Sequence, residues 1–226
     1  MLKKSVVDHY EKEWKQRIKN QGDEDFFNYE RNWVLSSFFK RNEKVLDLAS
    51  GNSIVGEYLQ KHYHCKVIAI DFSKEAIKAA KKRGVKGIVH SVEEELPFNK
   101  NSFDMVFWGD NIEHVWKPKK VLIEINRILK PKGRIILSTP NQAYWRYRLH
   151  SFIKGEIPKT EGTPNKPWEW THIRFFNSKI LSELLNLTEF KIVKLSGVSR
   201  RRLDKPFLKL IPKLFGMIIV IEARKT

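Results

Sequence analysis

Between Val45 and Ser53 the chain reads Val-Leu-Asp-Leu-Ala-Ser-Gly-Asn-Ser, an apolar run that holds an acid, Asp47, and ends in small residues around Gly51. A backbone turning sharply beneath a ligand needs residues with little or no side chain, and a helix that follows such a turn presents free N–H groups. Twenty positions after Gly51 stands Asp71, at the end of the next apolar run. There a carboxylate can accept both hydroxyls of a ribose, or cap the helix that follows. Farther along come Gly109-Asp110-Asn111 and Glu113-His114. His114 titrates near neutrality and could take a proton from a nucleophile, or the pair could fix the loop through hydrogen bonds. Residues 141–177 gather Tyr144, Trp145, Tyr147, Trp168, Trp170, His172, Arg174, Phe175 and Phe176. Their rings can stack on an aromatic substrate or pack on the rest of the fold, and Arg146, Arg148, Lys154 and Arg174 can hold an anion. His62, His64 and Cys65 are close enough to raise a metal site, but they precede a strand whose alternation turns them to different faces, so no metal is expected.

These residues need elements to hold them. From Lys44 the texture is strand, loop and helix: KVLDLA, the small-residue loop, then IVGEYLQKH with helical spacing. KVIAID reads as a second strand and KEAIKAAKKRG as a helix with Ser73 as N-cap and Gly84 closing it. GIVH and FDMVFWG are the third and fourth strands, VLIEINRILK a helix ended by the Pro-Lys-Gly turn, and GRIILSTP the fifth strand. After the helix SKILSELLNL, the strands FKIVKLSGV and GMIIVIEAR lack a good intervening helix, since Pro206 and Pro212 interrupt it, and an antiparallel hairpin is expected. The first forty residues, polar with spaced aromatics such as Tyr10, Trp14, Phe26 and Trp33, suit two amphipathic helices lying on a larger body. The expected fold is α/β, a doubly wound, mostly parallel, seven-stranded Rossmann-like sheet with a C-terminal antiparallel hairpin and helices on both faces. Residues 1–226 form one domain: an N-terminal helical cap (1–43), a ligand-binding core (44–140), an aromatic lid (141–177) and a closing helix and hairpin (178–226).

The loop of Val45–Ser53, with LPFNKNSFDMVFWGDNIEHV and EINRILKPKGRIILSTPN at the right spacing, resembles the class I S-adenosylmethionine-dependent methyltransferases, in their small-molecule and quinone-type branch. The resemblance runs from about Lys44 to Asn141 and more loosely to the C-terminus. It implies S-adenosylmethionine as cofactor. Asp47 would face the cofactor's amino-acid end, Ala49, Gly51, Asn52 and Ser53 would form its cradle, and Asp71 with Phe72 would hold the ribose. Gly51 matches the family's central glycine, whereas Ala49 and Ser53 replace its neighbours. The family's acid near the adenine has no aspartate here, and Ser91, Val92 and Glu93 are the candidates. Gly109 and Asp110 would border the methionine portion, with His114 and Asp110 as candidate catalytic groups and Tyr144, Trp145, Trp168, Trp170, His172 and Arg174 as candidate substrate residues. Dinucleotide-binding dehydrogenases share the Asp71 geometry; Asp47 and the EHV and LKPKG segments distinguish the methyltransferases.

Composition narrows the rest. With 41% hydrophobic residues a real core is affordable, one cysteine forms no internal bridge, and the N-terminus lacks a signal-peptide core, so the cytoplasm is the expected compartment and no membrane span is foreseen. The balance of 43 basic against 26 acidic residues gives +17, which suits a nucleic acid, an anionic surface or an acidic small molecule without choosing among them. The expected activity is methyl transfer to oxygen, nitrogen or carbon of a small-molecule acceptor, anionic or aromatic in character. The alternatives are an RNA or other nucleic-acid methyltransferase, and a cofactor-binding protein without transferase activity.

Overall fold

The computed structural model describes residues 4–20, 25–160 and 171–226. Seven strands form one sheet in the order β3-β2-β1-β4-β5-β7-β6. These are β1 (Lys44–Leu48), β2 (Lys66–Asp71), β3 (Lys86–Val89), β4 (Phe103–Gly109), β5 (Leu129–Pro140), β6 (Phe190–Val198) and β7 (Ile218–Lys225). The first five pair in parallel, and β7 runs antiparallel between β5 and β6. The chain order reverses between β1 and β4, so the ligand crevice of such a sheet falls beyond their carboxyl ends.

Alternation along the strands supplies two cores, one per face. Leu46, Leu48, Val106 and Trp108 pack with Val121, Leu122 and Ile125 of α5 (Pro118–Ile128) and Leu181 and Leu185 of α7 (Ser178–Asn186). Val45, Met105 and Phe107 face the other way, onto Ile54, Val55 and Leu59 of α3 (Ile54–Tyr63) and Ala80 of α4 (Lys74–Lys82). Leu46 and Leu48 are fully buried, each contributing roughly 1.5–3 kcal/mol. Helices therefore cover both faces, as the alternating pattern required.

Two local expectations are corrected. Instead of two amphipathic helices, the described residues of the N-terminal region form one, α1 (Lys4–Asn20), followed by a 3₁₀ turn at Phe26–Asn28 and the single-turn α2 (Asn32–Leu35). Phe26, Leu35, Phe38 and Phe39 enter the core one by one, Phe26 stacking on Tyr58 at 3.7 Å, which an unbroken helix would not allow. The helix expected through Lys130 ends at Ile128, because Pro131 disfavours helical backbone at the residue before it. Leu129 is already paired with Phe103, and residues 130–133 bulge out before Arg134 resumes pairing with Met105. Within 141–177 lies α6 (Trp145–Lys154), and Lys205–Phe207 and α8 (Pro212–Phe215) are single turns between β6 and β7. No helix among the described residues is long and apolar enough to cross a membrane.

Candidate active site

The loop after β1 adopts left-handed backbone at three alternating residues, Ala49 (φ 52°), Gly51 (φ 54°) and Ser53 (φ 51°). Only glycine takes this conformation freely, and it costs a residue with a Cβ on the order of 1–2 kcal/mol. The loop thus keeps a glycine-type path at Ala49 and Ser53. Ser53 is compensated: its Oγ–H donates to Asp47 Oδ2 at 2.6 Å, and both residues are buried. Burial pushes the Asp47 carboxyl up to about 7, against the pull of the Ser53 hydroxyl.

Asp71 ends β2 beside this loop. Its Oδ2 accepts the Gly51 N–H and its Oδ1 the Ser73 N–H, each at 2.9 Å. Burial raises its carboxyl to about 6. It therefore orders both the cradle and the start of α4, where Ser73 accepts from the Ala76 N–H. The sequence left ribose contact and capping as alternatives for Asp71, and the geometry serves the second while leaving the carboxylate at the crevice. α1 then closes over these groups. Glu11 accepts from the Ser73 hydroxyl and from the N–H groups of Lys74 and Glu75 at the N-terminus of α4. Tyr10 meets Phe72 edge-on at 5.2 Å. The Trp14 ring lies so close over Gly51 that an added Cβ there would stand 2.4 Å from Cζ2.

Beyond β4, Asp110 (φ 48°) is gripped by Arg31, which forms an ion pair with it, and by Ser138 Oγ–H at 2.6 Å. Asn111 Nδ2 reaches Ala49 O at 3.4 Å, tying together the loops that follow β4 and β1. Glu113, in a 3₁₀ turn, accepts from Thr139 Oγ1 at 2.9 Å; burial, then Asp110, push its carboxyl up. His114 Nδ1 lies 3.0 Å from Thr171 O, a carbonyl that can only accept, so the proton is on Nδ1 and Nε2 keeps its lone pair. Burial lowers the His114 pKa, and lowers that of His172 to about 4. The sheet's carboxyl end thus gathers four acids, but burial favours the protonated form of Asp47 and Glu113 and Arg31 pairs with Asp110, which leaves Asp71 as the carboxylate that carries charge near neutrality.

The chain matches the family described as Methionine biosynthesis protein MetW over residues 30–222. The chain belongs to the MetW family. This is a class I S-adenosylmethionine methyltransferase family. The chain is similar to the ubiquinone/menaquinone biosynthesis C-methyltransferase UbiE of Desulfotalea psychrophila, 36% identical over 62% of this chain and 63% of the relative. It is 30% identical to the glycine/sarcosine/dimethylglycine N-methyltransferase of Actinopolyspora halophila over 43% of this chain, spanning only 18% of that protein's length. Among solved structures, a SAM-dependent methyltransferase from Aquifex aeolicus aligns with a TM-score of 0.64 at 19% identity, covering 94% of this chain and 98% of the other. Another, from Mesorhizobium loti, aligns with a TM-score of 0.64 at 15% identity over 88% of this chain and 100% of its own. Both show the fold.

In this MetW-family chain the remaining candidates separate. Ser91 Oγ accepts from the Glu93 N–H at 3.3 Å, and the Glu93 carboxylate accepts the Trp116 N–H, so both side chains are engaged within the loop and Val92 is the buried residue between them. Tyr144 and Trp145 do not open on the crevice: the Tyr144 hydroxyl donates to Asp204 at 2.6 Å and the Trp145 indole N–H to the same carboxylate at 2.9 Å. Their expected substrate role gives way to anchoring α6 on the β6–β7 connection, because buried Asp204 needs donors. Trp168 and Trp170 lie outside the described residues. Arg174 is exposed and donates to Trp116 O at 2.9 Å, whereas His172 is buried against His114 with ring centroids 4.7 Å apart. His62 packs on Tyr58 and the Cys65 thiol donates to Lys40 O, so that trio is dispersed. The sequence reading missed Arg31, Glu11, Ser138 and Thr139. Only the spacing of Tyr10 and Trp14 hinted that the cap bears on the site.

A pH dependence follows. Asp47 and Asp71 have folded pKa values raised to about 7 and about 6, so the folded state holds protons that the unfolded chain releases. Their contribution to stability is complete below the ordinary carboxylate value and lost as pH rises through about 7. Denaturant midpoints of the ligand-free protein should fall between roughly pH 4 and 7, less steeply in Asp47→Asn. An equally steep fall in that variant would contradict the assignment.

Proposed function

We propose that the protein transfers a methyl group from S-adenosylmethionine to a small-molecule acceptor. The observation that carries this is the left-handed cradle at Ala49, Gly51 and Ser53 with the Asp71 carboxylate bonded to the Gly51 N–H. The residues fit the cofactor: the left-handed loop carries little side chain where a ligand would meet backbone, and the Asp71 carboxylate beside Gly51 stands where ribose hydroxyls would approach. S-adenosylmethionine, when bound, supplies the methyl group on a sulfonium, an intrinsically good leaving group. Asp71, with Phe72 beside it, holds the ribose hydroxyls; Asp47, through Ser53, keeps the cradle in shape, and Asn52 lines it. Val92 meets the adenine through its backbone, and Gly109 and Asp110 border the methionine end. Trp14 rests directly on Gly51, so α1 would have to shift to admit the cofactor before Trp14 and Tyr10 could cover it and exclude water. Holding acceptor, methyl carbon and sulfur in line can contribute roughly 7–11 kcal/mol, so little side-chain chemistry is required.

His114, with Nδ1 bonded to Thr171 O, keeps an Nε2 lone pair that would be available to take the acceptor's proton. His114→Asn is expected to lower turnover by about 100-fold with cofactor affinity nearly intact. A matching loss of cofactor affinity would argue against that placement. The relatives that act on quinones and on glycine derivatives support a small acceptor, and the cytoplasm is the proposed location. A nucleic-acid substrate is less favoured, because the relatives named above carry small-molecule methyltransferase names. The test is release of the demethylated cofactor from a panel of hydroxylated aromatics, quinols, amines and short RNAs. Turnover on RNA alone would replace this reading.

A further inference from the structure

We propose that Glu113, His114 and His172 form a binding site for a divalent cation of the first transition row, set between the turn after β4 and the segment that leads into α7. One ligand atom from each residue can be chosen so that all three lie within 4.8 Å of one another. Bonds of about 2.0–2.1 Å to a tetrahedral ion put ligand atoms roughly 3.4 Å apart, so each must close by about an ångström.

The three ligands are already oriented from behind. His114 donates from Nδ1 to Thr171 O, His172 Nδ1 is 2.9 Å from Thr160 Oγ1, and Glu113 Oε2 accepts from Thr139 Oγ1. Such outer hydrogen bonds fix the tautomer and aim the free atom of metal-binding imidazoles. The N–H groups of Ile173 and Arg174 both donate to Glu113 O, at 3.0 and 3.1 Å, clamping the segment that carries His172 to the residue that carries the carboxylate. Asp110 adds negative field at both imidazoles and Glu13 at His114, although Asp110 is itself paired with Arg31. Two nitrogens and one carboxylate favour zinc, cobalt or iron(II) over magnesium or calcium. Three protein ligands leave a position open, which suits an acceptor that presents a hydroxyl or carboxylate oxygen. In the loaded protein His114 Nε2 is a ligand, and the acceptor's proton passes to solvent.

The cation site stands on the geometry alone; only the acceptor class rests on the proposed methyl transfer. Protein stripped with a chelator is titrated with Zn²⁺ by calorimetry and with Co²⁺ by visible absorption, without cofactor or acceptor. One ion per chain is expected, with a rise in Tm, and with affinity at least tenfold weaker in His114→Ala and in His172→Ala. Thr160→Val, which leaves every ligand in place, guards against misfolding and is expected to weaken binding about tenfold. Absence of stoichiometric binding, affinity unchanged in both histidine variants, or Mg²⁺ competing equally would overturn the site. Failure to bind the demethylated cofactor, with Zn²⁺ binding intact, would instead sink the methyltransferase reading.

Discussion

Gly51→Val is expected to abolish cofactor binding while leaving the sheet folded. Two effects add at this position. Its φ of 54° is a conformation that a β-branched residue avoids, and the new Cβ would stand 2.4 Å from the Trp14 ring. The ring sits on α1 and would have to move aside for the cofactor as well as for the new side chain; the added methyl groups would then still fill the space where ligand meets backbone. Calorimetry with the demethylated cofactor should show a loss beyond a hundredfold, with a far-UV spectrum like that of the parent. Normal affinity in a folded variant would reduce the cradle to a tight turn.

Asp71→Asn is expected to weaken cofactor binding ten- to a hundredfold, the loss of a charge-assisted acceptor worth about 1.5–3 kcal/mol. The amide keeps the shape and can still accept the Gly51 or Ser73 N–H. Since burial raises the aspartate to about 6, the neutral residue should hold or improve stability above that pH. Affinity and stability thus move in opposite directions. A variant that loses both together would show that Asp71 is only the cap of α4, a role its bond to the Ser73 N–H also supports.

The strands and the C-terminal hairpin were legible because their signals are local: alternating apolar residues in KVLDL, KVIAID and FDMVFWG, Ser73 at an N-cap, and the prolines between β6 and β7. Residues contributed over long range were not. Glu11, Trp14 and Arg31 reach the site from α1 and the turn before α2, and neither helical periodicity nor charge says where such a helix docks. His172 joins His114 across 58 positions through hydrogen bonds of Ile173 and Arg174 to Glu113, which no spacing rule encodes. Tyr144 and Trp145 misled for the opposite reason: composition marked them as aromatic and near the crevice, while buried Asp204, itself unremarkable in sequence, captures both. At Ala49 and Ser53 the departure from glycine implied a changed loop, yet the backbone holds its left-handed path, with Ser53 supported by Asp47.

The measurement that bears most directly on the account is calorimetric titration of the wild-type protein with S-adenosylhomocysteine, followed by the same titration of Gly51→Val and Asp71→Asn. The account predicts one site per chain in the wild type, weakened ten- to a hundredfold by Asp71→Asn and lost in Gly51→Val. No binding to the wild type, or equal binding to all three proteins, would contradict it.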